Sequence, residues 1–205
     1  IDLEAARRKK IAVYTTPDEV IEPVAQLTVA MILALARNLP QHLADARQGA
    51  WTKRTGWLLS EWTVGLVGFG RIGHAVERAL RVFGPRVLVT DPVLAPRDLP
   101  PSVEWRSLPA LLAEADVVSL HATRPWAAGV LIGRQELQQM KAGSRLVNTA
   151  RGSLVDEPAL EEALRSGHLA GAALDVFQQE PYAGALAKLP HVLCTPHVAS
   201  LTRAS

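Results

Sequence analysis

The sequence predicts an α/β fold, a doubly wound parallel sheet of the Rossmann type with helices on both faces. Three observations carry that reading. From Thr63 onward short apolar runs recur at regular intervals with helical stretches between them. The runs are continuous rather than alternating, as strands buried on both faces require. The first run passes directly into a glycine turn, Gly68-Phe69-Gly70-Arg71-Ile72-Gly73, which opens a helix.

The elements follow in order. Residues 1–10 read as the tail of a helix, leading to a strand-like stretch at 11–14, and Thr16-Pro17-Asp18 is a turn and cap signal. Residues 20–39 carry helix formers on nearly every face, which predicts a helix covered on several sides at a subunit interface or hinge. Strands are expected at 63–67, 86–90, 116–120, 144–148, 170–174 and 191–194, and helices at 71–83, 108–113, 134–140 and 157–166. The proline-rich stretch from Asp91 to Pro101 is a surface loop. Residues 1–19 are expected to be a remnant of a second domain and its hinge, and 20–205 the nucleotide-binding domain, with 20–39 as the interdomain or dimer helix.

Composition narrows the function. With 205 residues, 48% hydrophobic and 20% charged, the chain has enough apolar material for one substantial core. A formal charge of +2 gives no polyelectrolyte signal, and the cluster Arg7-Arg8-Lys9-Lys10 is the solvated end of a helix, so nucleic acid is not an expected partner. Cys194 is the single cysteine, which excludes an intramolecular disulfide or a cysteine metal centre and fits a cytoplasmic setting. The longest apolar stretch lies within 20–39, bracketed by Glu22, Gln26 and Arg37, and is too short to span a membrane. Asp2 and Glu4 stand where a signal peptide would be positive.

The glycine turn points to a dinucleotide. Gly68 permits the tight turn, Gly70 lets backbone approach a pyrophosphate at the helix N-terminus beside Arg71 and Ile72, and Gly73 lets helix and strand pack closely. Asp91 follows the second strand about twenty residues on, where a carboxylate accepts from the adenosine ribose. Its charge disfavours a 2′-phosphate, so NAD is expected over NADP; Arg97 in the following loop is the residue that would favour NADP. The alternative is a structural glycine turn with a capping Asp.

Chemistry is expected from Arg151, Glu180 and His197, in the segments NTARGSLVDE, ALDVFQQEP and TPHVAS. An arginine fork holds a carboxylate, a histidine passes a proton near neutral pH, and a glutamate orients and charge-stabilises the imidazole. The bland readings are an Arg151 ion pair with Asp156 or Glu157, a plain turn at Glu180-Pro181, and a structural histidine. His121 ends the third predicted strand on the cofactor side, or is only a polar strand end. His42, His74, His168 and His191 read as surface or cap residues, and Trp51, Trp57 and Trp62 as packing or dimer contacts.

These segments, in this order and approximate spacing, resemble the D-isomer-specific 2-hydroxyacid dehydrogenase family. The resemblance implies a two-domain dimeric enzyme whose nucleotide domain is inserted into a substrate domain built from both chain ends. It implies that Arg151 binds the substrate carboxylate and carbonyl, and that Glu180 pairs with His197, the acid and base. Thr149, Ala150 and His121 would border the cofactor, and Asp175 would lie near the nicotinamide. The substrate would be a small 2-hydroxy or 2-keto acid. Phosphite or formate oxidation is the alternative chemistry, although formate enzymes of this kind carry glutamine where Glu180 stands, and an NAD-sensing corepressor is the alternative class. The sequence departs from the family at Ala122-Thr123-Arg124-Pro125-Trp126, where a proline and spaced threonines are usual, and at Gln26, where a glutamate is usual. Much of the substrate domain is expected to lie outside this polypeptide, so weak turnover is expected of it alone.

Overall fold

A computed structural model describes residues 2–14, 18–94, 99–122 and 129–203. Thr16, Pro17, Arg97 and positions 123–128 of the departing loop lie outside the described residues. The strands are β1 (Thr63–Val67), β2 (Arg86–Thr90), β3 (Glu104–Trp105), β4 (Val117–Leu120), β5 (Arg145–Asn148), β6 (Gly171–Leu174) and β7 (Val192–Cys194). They form one parallel sheet in the order β3-β2-β1-β4-β5-β6-β7. The chain runs outward from β1 to β3, then returns to the far side of β1 as β4. The crevice at the carboxyl ends of β1 and β4 is therefore where a ligand is received.

Both faces of the sheet are apolar because successive strand residues point to opposite sides. Val64, Leu66, Val89, Val147 and Ala173 join one core beneath α2 (Ile21–Ala36) and α4 (Arg71–Leu80). Val67, Leu88, Val118, Leu146 and Ala172 join the other, beneath α5 (Leu108–Glu114), α6 (Arg134–Gln139) and α7 (Glu157–Arg165). This is why the sequence shows unbroken apolar runs. Among the described residues, no single helix is long and apolar enough to cross a membrane.

Three expectations need correction. The helix predicted over 20–39 stops at Ala36, and a second one, α3 (Leu39–Arg47), begins after Asn38. Pro40 has no N–H and would clash with the carbonyl of Ala36, so the chain turns instead. Asn38 takes the left-handed conformation at φ 52° and its Nδ2 donates to Thr55 O at 2.9 Å. Residues 11–14 form no strand; after α1 (Leu3–Arg8) they lie exposed and unpaired with the sheet. The expected six strands become seven, because β3 pairs with β2 at the edge. Both residues of β3 are exposed, and a two-residue strand is too short to show an apolar run; Arg86 and Arg106 hold Glu104 in place, the first keeping its carboxyl down at about 2.

Trp62 belongs to the core, under the Arg145 guanidinium at 4.7 Å from its ring centroid, whereas Trp51 and Trp57 are exposed. The expected grouping of all three tryptophans therefore divides.

Candidate active site

The glycine turn takes its shape from its neighbours at two positions and from nothing in the protein at the third. Gly68 has φ +94°, and a Cβ there would lie 2.7 Å from His121 C and Ala122 N at the end of β4. A Cβ on Gly73 would lie 2.6 Å from Gly68 O, so helix and strand touch through glycine. At Gly70 the backbone is ordinary, φ −78° and ψ −161°, and no atom lies within 4 Å of the missing Cβ. The fold makes no demand for glycine at 70. The open space is at the N-terminus of α4, whose first amides have no helical partner and favour an anion. A pyrophosphate fits it.

Asp91 ends β2 beside this turn. Its Oδ2 accepts from Phe69 N at 2.8 Å and its Oδ1 from Val93 N at 2.9 Å, which leaves each oxygen capacity for a ribose hydroxyl. Arg71 is exposed and paired with Asp18 at 2.5 Å, while Arg78, two turns along the same face, pairs with Glu22. The start of α2 is thus tied electrostatically to α4.

A cavity of about 230 Å³ opens at the carboxyl ends of β4 and β5, lined by Ile72, His121, Thr149, Ala150, Arg151 and His197 among others. His121 is buried, and its Nε2 lies 3.0 Å from Ser119 Oγ. Burial pushes its imidazole down to about 4, so it presents a neutral ring. Asn148 shapes the next loop: its Oδ1 accepts from Ala150 N at 3.0 Å and its Nδ2 donates to Arg151 O at 2.9 Å.

Arg151, Glu180 and His197 follow β5, β6 and β7, so the parallel sheet delivers all of them to one end. His197 Nδ1 lies 2.8 Å from Glu180 Oε2, and Glu180 Oε1 accepts from Phe177 N at 3.0 Å. The bond from His197 and then that from Phe177 N hold the Glu180 carboxyl below its ordinary range. Glu180 is thus an anion at neutral pH that accepts a hydrogen bond from Nδ1–H, leaving Nε2 for exchange. Arg151 is exposed to the cleft, its Nη1 donating to Ala150 O at 2.6 Å. Asp156 caps α7 and Glu157 accepts from Gln178 N at 2.6 Å, so neither carries the ion pair weighed as the bland reading of Arg151.

Asp175, expected beside the nicotinamide, lies beneath the histidine loop. It is fully buried, and its carboxylate accepts from Thr195 Oγ1 at 2.5 Å, Val198 N at 2.9 Å and Ala199 N at 2.9 Å. Its backbone oxygen accepts from His197 N at 2.9 Å. Asp175 therefore anchors the histidine loop from below, which holds His197 at φ 54°, a conformation that costs about 1 kcal/mol for a non-glycine residue.

Two residues that position the trio were missed in the sequence. A Cβ on Gly152 would fall 1.9 Å from Phe177 C, so the loops bearing Arg151 and Glu180 meet backbone to backbone. Gln178 fastens the same contact, its Nε2 donating to Val155 O at 2.6 Å. A glycine directly after the candidate arginine was the available signal for the first; the second has none. Among the described residues no group of acidic, histidine or cysteine side chains is placed to hold a metal ion.

The chain is similar to known proteins along most of its length. Residues 29–199 match the sequence profile of the D-isomer specific 2-hydroxyacid dehydrogenase, NAD binding domain. A hydroxypyruvate reductase of Thermotoga maritima is 36% identical over 98% of this chain and 67% of its own length. A glyoxylate reductase of Thermococcus litoralis is 38% identical over 98% of this chain and 64% of its own. The structure of D-lactate dehydrogenase with NAD+ from Lactobacillus jensenii superposes with a TM-score of 0.89 at 29% identity, covering 100% of this chain and 67% of that one. The chain spans about two thirds of the length of these relatives.

Proposed function

The chain belongs to the D-isomer-specific 2-hydroxyacid dehydrogenase family and carries its NAD-binding domain, and on that premise we propose that the whole protein reduces a small 2-keto acid to the D-2-hydroxy acid, and reverses the reaction. The observation that carries the proposal is the His197–Glu180 pair at 2.8 Å, beside Arg151 on the cavity reached by the glycine turn. NADH, when bound, supplies the hydride that ends on the substrate's C2.

The chain's own groups do the rest. Arg151 holds the substrate carboxylate with its fork of donors and turns the keto group toward the imidazole. His197 gives its Nε2 proton to the keto oxygen as C2 is reduced, and takes it back in oxidation. Glu180, accepting from Nδ1–H, holds that proton on the ring and stabilises the ring's charge. Neutral His121 adds no cation beside the nicotinamide position. The names of the relatives, hydroxypyruvate reductase and glyoxylate reductase, support small polar keto acids as the class.

NADH oxidation by the full-length protein with glyoxylate, hydroxypyruvate and pyruvate tests the reading. Turnover with at least one is the expected result. NADH binding without turnover of any of them would sink it in favour of an NAD-sensing regulator.

The working unit is a homodimer. Trp51 is 90% exposed and Trp57 50%, with Leu43 and Leu58 also exposed on α3 and the segment after it. Such a concentration of large apolar side chains supports an interface between copies. Light scattering is expected to give the mass of two chains; a monomer at micromolar concentration overturns this.

A further inference from the structure

We propose that Thr28, on α2, is a positioning residue that makes the Thr149 hydroxyl an obligate hydrogen-bond acceptor for the nicotinamide half of the cofactor; this rests on the NAD reading above. Thr28 has no exposed surface and Thr149 is 6% exposed. Thr28 Oγ1 donates to Val24 O at 2.8 Å, and lies 2.8 Å from Thr149 Oγ1. A hydroxyl has one hydrogen and two lone pairs, and a carbonyl oxygen can only accept. The Thr28 hydrogen is therefore committed to Val24, and the hydrogen in the Thr28–Thr149 bond must come from Thr149. That leaves Thr149 Oγ1 with lone pairs alone.

Thr149 lines the cavity at the end of β5 together with His121, Arg151 and His197. What it offers a ligand there is acceptance only. The nicotinamide half of the dinucleotide carries matching donors, the carboxamide N–H and the ribose hydroxyls. An acceptor placed at the same point would face an oxygen that cannot rotate a hydrogen toward it without breaking a buried bond. Helix α2 thereby sets the polarity of a cavity wall that it does not itself reach through Thr28.

The test is the affinity of full-length wild type, Thr28→Val and Thr28→Ser for NADH, ADP-ribose and ADP. Thr28→Val keeps the shape and removes the acceptor that commits Thr149. NADH is expected to bind roughly three- to ten-fold more weakly to it, ADP as tightly as to wild type, and Thr28→Ser to restore NADH binding. ADP-ribose identifies the donor: it weakens with NADH if a ribose hydroxyl is bound, and stays unchanged if the carboxamide is. Thr149→Val provides a second route if Thr28→Val folds poorly; it is expected to lose NADH affinity selectively, and adding Thr28→Val to it is expected to cost nothing more. Unchanged NADH affinity in Thr28→Val, or equal weakening of NADH and ADP, overturns the inference. Failure of the wild type to bind NADH would instead overturn the cofactor reading on which it rests.

Discussion

Replacing His197 with asparagine is expected to lower kcat for 2-keto acid reduction about 10²–10⁴-fold while NADH binds nearly as in the wild type. The amide fills much of the imidazole's space but has no proton to exchange near neutral pH. The pyrophosphate and adenosine-ribose contacts proposed for Gly70, Asp91 and the start of α4 follow β1 and β2, several strands from the loop after β7. Steady-state kinetics with a fluorescence titration of NADH measures both quantities, and a kcat within a factor of about five of wild type would remove His197 from the proton path. Glu180→Gln extends the test to charge. The amide keeps a carbonyl that can accept from Nδ1 but removes the negative charge that faces the ring at 2.8 Å, so kcat is expected to fall about tenfold or more with NADH affinity unchanged; an unchanged kcat would mean that the charge of Glu180 plays no part.

Gly152→Ala is expected to destabilise the protein by about 3 kcal/mol or more and to depress kcat in whatever folded protein remains. A Cβ at this position meets Phe177 C at 1.9 Å, Phe177 O at 2.1 Å and Gln178 N at 2.5 Å, all of them backbone. No rotamer change relieves such a contact. The Arg151 loop must part from the loop that carries Glu180, and this also breaks the bonds that Gln178 makes to Glu157 and Val155. Urea denaturation reports the first effect and kinetics the second. A variant with wild-type midpoint and wild-type kcat would mean that the two loops do not need this contact.

The parallel sheet was legible because both of its faces are covered: Val64 and Leu66 serve one core, Val67 and Leu88 the other, and the apolar runs are unbroken. The trio was legible because each member follows a strand and carries a functional group that packing does not require. What escaped the sequence depends on contacts between segments far apart in the chain. β3 is two exposed residues held by ion pairs, so periodicity has nothing to register. The break at Asn38 depends on a left-handed residue ahead of Pro40, inside a stretch whose composition is helical throughout. The partners of the Asp175 carboxylate were not legible, because they come from the histidine loop folded back over it about twenty residues later. Gly152 offers only its place after the candidate arginine, since the atoms that exclude a side chain there come from Phe177 and Gln178.

The reversal of strand order between β1 and β4 spreads the proposed tasks along the sheet. On that reading the pyrophosphate and adenosine-ribose contacts follow β1 and β2, while Arg151, Glu180 and His197 follow β5, β6 and β7, where the nicotinamide end meets the acid. Residues far apart and without shared partners contribute independently to free energy, so the flanks can diverge at different rates. Under the proposed activity, substitutions around Arg151 or Glu180 are expected to redirect specificity toward another acid while the same reductant is kept. The arrangement makes new specificities accessible to a lineage by gradual change, because no intermediate along the way has to surrender its source of electrons.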